Sequence, residues 1–193
     1  VPLGLKAGMS FENTISKKNS RNIVGILKGA KRPDEYVLYS AHWDHLGRCT
    51  PKDGDEICNG AVDNATGTAA LVALAEAFQK GGAPDRSVIF LAVTAEESGL
   101  LGSKYYAENP IYPLARTVGG VNMDAFSMTG PAKNLTVIGM GKSQLDDYLN
   151  AAAKIEGRTP DREPTPEKGF YYRSDHFSFA KLGVPMVYFE GGD

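Results

Sequence analysis

The sequence has little of several things, and each shortage excludes something. Cysteine is scarce: Cys49 and Cys58 are the only two in 193 residues. They stand in one polar, glycine-bearing stretch, where two free thiols and a small disulfide-closed loop are both admissible. No sign of charge predominates, since 21 Lys and Arg face 23 Asp and Glu for a net charge of -2. A generic electrostatic binder of nucleic acid or of a membrane surface needs a basic excess, so that class is set aside. Long apolar runs are missing too. The longest, Ala69 to Ala75, stops at Glu76, far short of the roughly 18 residues that a membrane span requires. Repeats, low-complexity tracts and long linkers are not visible, and the start at Val1 shows neither the basic nor the apolar region of a signal peptide. No His-Glu-x-x-His occurs, which excludes the commonest single-zinc protease plan.

What is present reads as an ordinary globular domain. The chain is 42% hydrophobic and 23% charged, and its length predicts one domain with a substantial core. Glycine, at 22 residues, exceeds the average of about 7% and implies many tight loops. Tyr36–Tyr39, Val88–Val93, Thr117–Val121, Leu135–Ile138 and Met186–Phe189 are apolar runs of strand length. Val88–Val93 is apolar throughout, which suits a central strand covered on both faces. Phe11–Ser16 and Asn22–Leu27, separated by the polar Lys17–Arg21, predict an opening hairpin. Leu71, Leu74, Ala75 and Phe78 follow helical spacing within Thr66–Lys80, with Gly81 as a stop; Ser143–Glu156 and Ser174–Leu182 read as further helices. Strands alternating with helices predict the α/β class, as a three-layer α/β/α sandwich around a mixed, largely parallel sheet.

The informative residues stand just past the end of each buried strand. Tyr36–Tyr39 runs into His42 and Asp44, Val88–Val93 into Glu96 and Glu97, and Thr117–Val121 into Asp124. In open α/β sheets, ligands bind beyond the carboxyl ends of the strands. Asp63 joins them just before the helix expected from about Asn64, at its positive end. Each residue alone has an ordinary role: Asp63 a helix cap, Glu96 and Glu97 first-turn charges, Asp124 a turn former, His42 a hydrogen-bonded core histidine. Together they put four carboxylates on one rim, where they repel unless a cation neutralises them. One His with several carboxylates and no Cys suits Zn²⁺, Mn²⁺ or Co²⁺. Carboxylates can also bridge two metals, as in aminopeptidases, phosphatases and nucleases. No cluster of Arg and Lys stands beside these motifs; Arg48 and Arg173 are the nearest, which disfavours a phosphoester substrate.

These residues carry a resemblance. Ser-Ala-His42-Trp-Asp44-His-Leu-Gly, Gly60-Ala-Val-Asp63-Asn64-Ala-Thr-Gly67, Thr94-Ala-Glu96-Glu97-Ser-Gly and Asn122-Met-Asp124 resemble, in order and spacing, the co-catalytic zinc aminopeptidase family. Its relatives include glutamate carboxypeptidase, glutaminyl cyclase and the transferrin receptor ectodomain. The likeness runs from roughly Asn22 to the end and is nearest to the bacterial exported aminopeptidases. It implies two Zn²⁺ per complete active site, bridged by Asp63. His42 and Asp124 complete the protein ligands of one ion, and Glu97 binds the other. Glu96 is then the general base, and Asp44 orients the His42 ring. A cis peptide at Asp63–Asn64 is implied as well.

The same resemblance puts the last histidine ligand in a Tyr-His-Thr-like stretch beyond the final strand, which residues 1–193 do not contain. By that comparison the second zinc site is incomplete in this chain. Residues 1–193 are then expected to form a zinc peptidase domain lacking its C-terminal end, with flanking domains of a parent protein absent. His176 and His45 are the candidate substitutes, while Asp175 is expected to order the pocket rim. The implied substrate is a peptide with a free N-terminus, with no nucleic-acid partner, and the implied location is secreted, periplasmic or cell envelope. The alternatives are a glutaminyl cyclase or carboxypeptidase of the same family, or a non-catalytic interaction domain that keeps the fold. Retention of five clustered metal-competent residues argues against the last.

Overall fold

The structure, a computed structural model, describes residues 3–126 and 130–191. Nine strands are present among them: β1 Ile23–Leu27, β2 Arg32–His42, β3 Gly47–Lys52, β4 Asp55–Cys58, β5 Arg86–Val93, β6 Thr117–Asn122, β7 Asn134–Ile138, β8 Thr159–Arg162 and β9 Met186–Gly191. The α-helices are α1 Thr66–Gly81, α2 Leu101–Glu108, α3 Leu145–Ile155 and α4 His176–Ala180. Seven strands form one sheet in the order β1-β5-β2-β6-β9-β7-β8, and β3 pairs with β4 in a separate hairpin. The central run β5-β2-β6-β9 is parallel, while β1 on β5 and β7 on β9 are antiparallel. The mixed, largely parallel sheet expected from the sequence is therefore observed.

Strand alternation sends side chains to two layers. Leu38, Ile89, Leu91, Val93 and Met186 point to the side of α2 and α4, where Tyr106 and the fully buried Phe179 close the larger cluster. Tyr39, Phe90, Ala92 and Val121 point the other way and pack around Leu71 and Leu74 of α1. Gly119 lies on that second face, and a Cβ there would stand 3.2 Å from the Leu145 side chain of α3. The glycine run in β6 thus lets α3 close on the sheet. Burying a side chain of the size of Phe179 is worth about 1.5–3 kcal/mol, so these two layers hold the sheet's edges in fixed register.

Two sequence expectations need correction here. Phe11–Ser16 forms no strand, and Phe11 and Ile15 are 77% and 82% exposed. β1 pairs instead with β5, from Ile23↔Ala92 to Leu27↔Val88. The buried β5 edge offers a full ladder. Asn22 locks that choice, donating from Nδ2 to the Gly102 carbonyl and accepting the Thr94 N–H at Oδ1. The second correction concerns helix ends. α1 begins at Thr66, after an irregular turn Ala61–Ala65, and it stops at Gly82 with φ 85°. Asn64, rather than Asp63, accepts the Gly67 N–H at 2.9 Å.

The β3–β4 hairpin is an addition that hydrophobic periodicity does not reveal. Its turn is Asp53-Gly54, with φ 51° and 86°, the two positive values that a tight primed turn requires. A Cys49–Cys58 disulfide, with Cα atoms 5.9 Å apart, closes the hairpin. Arg48 pairs with Glu56 across it. α2 and β8 are further additions, each too short or too polar to give a clear period.

Candidate metal centre

The sheet order brings the rim residues together. β5, β2 and β6 are parallel neighbours, so their carboxyl ends open on one crevice. β2 ends at His42, Glu96 and Glu97 follow β5, and Asp124 stands two residues past β6. Asp63 arrives from the turn ahead of α1. Its peptide bond to Asn64 is cis, as the resemblance implies.

Two donor groups result. His42 Nε2 lies 3.1 Å from Asp63 Oδ1 and 3.1 Å from Asp124 Oδ1. His45 Nδ1 lies 2.6 Å from Glu97 Oε1, and Asp63 belongs to this group also. Within each trio the ligand atoms all fall within 4.8 Å of one another. The sharing of Asp63 is what a bridging carboxylate between two ions needs.

The donor set fits divalent zinc. Asp63 Oδ1, Glu97 Oε1 and His45 Nδ1 are closed to solvent and have no hydrogen-bond partner. Native proteins rarely leave such atoms unmet, because each costs about 1–3 kcal/mol. An imidazole with two carboxylates is an ordinary zinc ligand set. Electrostatics agree. Burial lowers the His42 pKa, but its hydrogen bond to Asp124 and the fields of Asp124, Glu96 and Asp175 outweigh this and push it up to about 10. In a rim this acidic the imidazole holds a positive charge, the place a bound cation takes over. Asp63 is pushed up by burial and by Asp124. Burial also opposes ionisation of Asp124, yet its hydrogen bonds from His42 and Ser174 hold it below the usual carboxylate range.

The surrounding shell is well connected. His42 Nδ1 is 3.1 Å from the Asp44 main-chain carbonyl and 3.8 Å from its carboxylate. With Nδ1 facing that carbonyl, Nε2 is the nitrogen that donates to Asp124, and its lone pair would become available to an ion only when that proton is displaced. The Asp44 carboxylate itself accepts the Glu96 N–H at 3.2 Å. The Asp124 carboxylate accepts from Ser174 Oγ at 2.7 Å, Ser174 from Asn122 Nδ2 at 2.8 Å, and Asn122 Oδ1 from Ser40 Oγ at 2.7 Å. Thr68 Oγ1 donates to the His42 carbonyl. Asn64 binds the Met123 carbonyl through Nδ2 and the Gly67 and Ala125 N–H groups through Oδ1. It therefore stitches the Asp63 turn to the end of β6. Ser40, Asn64 and Asn122 lie inside the recognisable motifs and Ser174 at the start of an expected helix, but only the fold reveals what each one holds.

Glu96 is half-buried beside this group. Burial first, then the neighbouring Asp175, raise its pKa to about 8. Asp175 is fully buried with both carboxyl oxygens unpartnered, and burial pushes it up to about 7. His176 is fully buried, with its ring 4.8 Å from that of Tyr171 and 5.0 Å from that of Tyr188. It joins neither donor group among the described residues. Arg173 stacks on the Phe170 ring, 5.3 Å from its centroid.

Comparison with known proteins points the same way. Aminopeptidase NAALADL1 of Rattus norvegicus is 33% identical over 159 residues, covering 79% of this chain and 19% of that protein. A glutamate carboxypeptidase 2 homolog of Caenorhabditis briggsae is 31% identical over 197 residues, covering 98% of this chain and 24% of that one. The chain thus spans about a fifth to a quarter of the length of these curated relatives. Among solved structures, BSAP, a zinc aminopeptidase from Bacillus subtilis, superposes with a TM-score of 0.67 at 26% identity, over 89% of this chain and 40% of that one. With residues 22–193 matching its family profile, the chain belongs to peptidase family M28.

Proposed function

We propose that the chain is the metallopeptidase domain of an exopeptidase that removes N-terminal residues from peptides. The observation that carries this reading is the pair of donor groups sharing Asp63 at the ends of three parallel strands. His42, Asp63 and Asp124 would hold one zinc ion, and Asp63 and Glu97 would reach a second. When bound, the paired ions supply Lewis-acid polarisation of the scissile carbonyl and make the attacking water more acidic.

The chain's own residues do the rest. Glu96, immediately before Glu97, takes the proton from the attacking water and delivers it to the leaving amine, acting as base and then as acid. Its position follows from the Asp44 carboxylate gripping its N–H and from Ala95, whose φ of 55° turns the chain sharply ahead of it. The half-buried setting that disfavours its anion suits a group that must accept and return a proton near neutrality. Among the described residues no arginine pairs with His42, Asp63, Glu96, Glu97 or Asp124, and an acidic rim of this kind favours a substrate's α-ammonium over an α-carboxylate, which supports the aminopeptidase reading over the carboxypeptidase one. The disulfide supports an oxidising location such as the cell exterior or envelope.

Glu96→Gln tests the assignment. Turnover of aminoacyl-nitroanilides should fall by about 10²–10⁴-fold while the zinc content stays unchanged. Retained turnover would remove Glu96 from this role. Faster cleavage of C-terminal glutamate than of N-terminal residues would replace the aminopeptidase reading with a carboxypeptidase one.

A further inference from the structure

We infer that Asn22 is a positioning residue for Glu96: its side-chain amide clasps both ends of the loop Thr94–Gly102 and so fixes the main chain that delivers Glu96. This rests on the proposed role of Glu96 and deepens it. Asn22 stands just before β1, the edge strand, 72 positions from Thr94 in sequence and outside every rim motif.

Three observations carry the inference. First, the loop adopts a costly backbone. Ala95 and Leu100 have φ of 55° and 61°, a left-handed conformation that a residue with a Cβ keeps only where its surroundings over-determine it. Second, Ala95 is gripped on both sides. Asn22 Oδ1 accepts the Thr94 N–H at 3.1 Å, and Asp44 Oδ1 accepts the Glu96 N–H at 3.2 Å. The other end of the Asn22 amide donates from Nδ2 to the Gly102 carbonyl at 2.8 Å, while the Gly102 N–H returns to the Thr94 carbonyl at 2.9 Å. One planar group therefore spans the two ends of the loop, and its rigidity sets their separation. Third, Gly102 keeps the room for that amide. A Cβ there would lie 2.6 Å from both Asn22 Oδ1 and the Thr94 nitrogen, and closer still to the Thr94 carbonyl oxygen. Only a residue without a side chain lets the clasp close.

Turnover of aminoacyl-nitroanilides at saturating zinc tests this. Asn22→Ala opens both contacts and should lower kcat by about 10–100-fold with KM unchanged. Asn22→Asp still accepts from Thr94 but sets a carboxylate oxygen against the Gly102 carbonyl, so its kcat should fall between. Ile26→Ala thins the packing of β1 on the larger core cluster and touches no part of the clasp. It should lower the thermal midpoint and keep kcat; a kcat loss equal to that of Asn22→Ala would make strand stability the cause and overturn the inference. The decisive measurement adds Asn22→Ala to Glu96→Gln. No further loss is expected, because residues that act through one group are not additive. If Asn22→Ala does not fold, Asn22→Asp carries the same cycle. A full additional loss in the double variant, or parental kcat in the single ones, would overturn the inference and leave Glu96 its role. Retained turnover in Glu96→Gln alone would end both.

Discussion

At the scale of single residues, the centre depends on buried groups outside the two donor trios. Ser174 donates to Asp124 and receives from Asn122, all three buried. Ser174→Ala strands a carboxylate oxygen and an amide donor, so it should cost about 1–3 kcal/mol in stability and about 10–100-fold in zinc affinity. Chemical denaturation and competition against a chelator measure the two effects; a loss of stability with zinc affinity intact would make Ser174 a packing residue only. His176 gives a pH signature. Burial, with both ring nitrogens unpartnered, depresses its pKa to about 4, against about 6.5 in the unfolded chain. The stability held by its neutral form is complete above about pH 6.5 and is lost as pH falls towards 4, on the order of 3 kcal/mol. His176→Phe keeps a ring in the slot and should flatten that acid limb in urea titrations between pH 7 and 4. An unchanged limb would assign the loss to other groups. At this scale His42, Asp63, Glu97 and Asp124 are legible in the sequence, because strand ends and a helix start mark their places. Ser40, Asn64 and Ser174 are not, since a small polar residue announces no partner until the strands that carry it are paired.

At the scale of elements, the loops that follow strands carry the site, and each is held by one tight contact. Where α1 starts, a Cβ on Gly67 would lie 2.4 Å from Asn64 Oδ1 and 2.5 Å from the Met123 carbonyl oxygen. Gly67→Ala should therefore push the Asp63 turn away from β6 and destabilise the fold by about 1–3 kcal/mol. Loss of zinc binding at temperatures where the variant remains folded by circular dichroism is the expected result; normal zinc binding would show that the turn tolerates the shift. For the hairpin, replacing both Cys49 and Cys58 by Ser opens a ten-residue ring. This should cost about 2–3 kcal/mol by loop-closure entropy, read as a lower thermal midpoint. A midpoint unchanged by the double substitution would mean that the hairpin is held by its ladder alone. The five apolar strands and three helices can be read from periodicity, because their burial on one or both faces imposes it. β3 and β4 escape, being polar and exposed, although Asp53-Gly54 between two short extended runs is a usable turn signal. The opening hairpin fails for the opposite reason: Phe11 and Ile15 suit a strand, but β5 outcompetes them as the partner of β1.

At the scale of the whole molecule, stability and metal binding are one equilibrium. Ions that bind only the folded chain stabilise it by about 2.7 kcal/mol at a hundredfold excess over Kd, and a domain of this size moves its Tm by roughly 2–4 °C per kcal/mol. Stripping the protein with a chelator should thus lower Tm by about 5–10 °C, and zinc, but not magnesium, should restore it in differential scanning fluorimetry. Equal midpoints with and without the chelator would mean that the donor groups are not occupied in the folded protein. The α/β/α sandwich itself can be inferred from the sequence, since alternating elements admit few layer arrangements. The strand order cannot be, because β1 on β5 and β7 on β9 are choices among edges of similar character. That order has a consequence in time. His42 and Asp124 are separated by 82 positions along the chain, and Ser174 stands another 50 beyond Asp124. Contacts this distant form slowly, after the entropy of closing large loops has been overcome. Two of the donors, His42 and Asp124, reach each other only when β2 and β6 lie side by side, so the growing or refolding chain offers no chelating pocket beforehand. Zinc uptake during refolding should lag behind the recovery of secondary structure, and the ion then works as a latch on a finished sheet rather than as a seed for it.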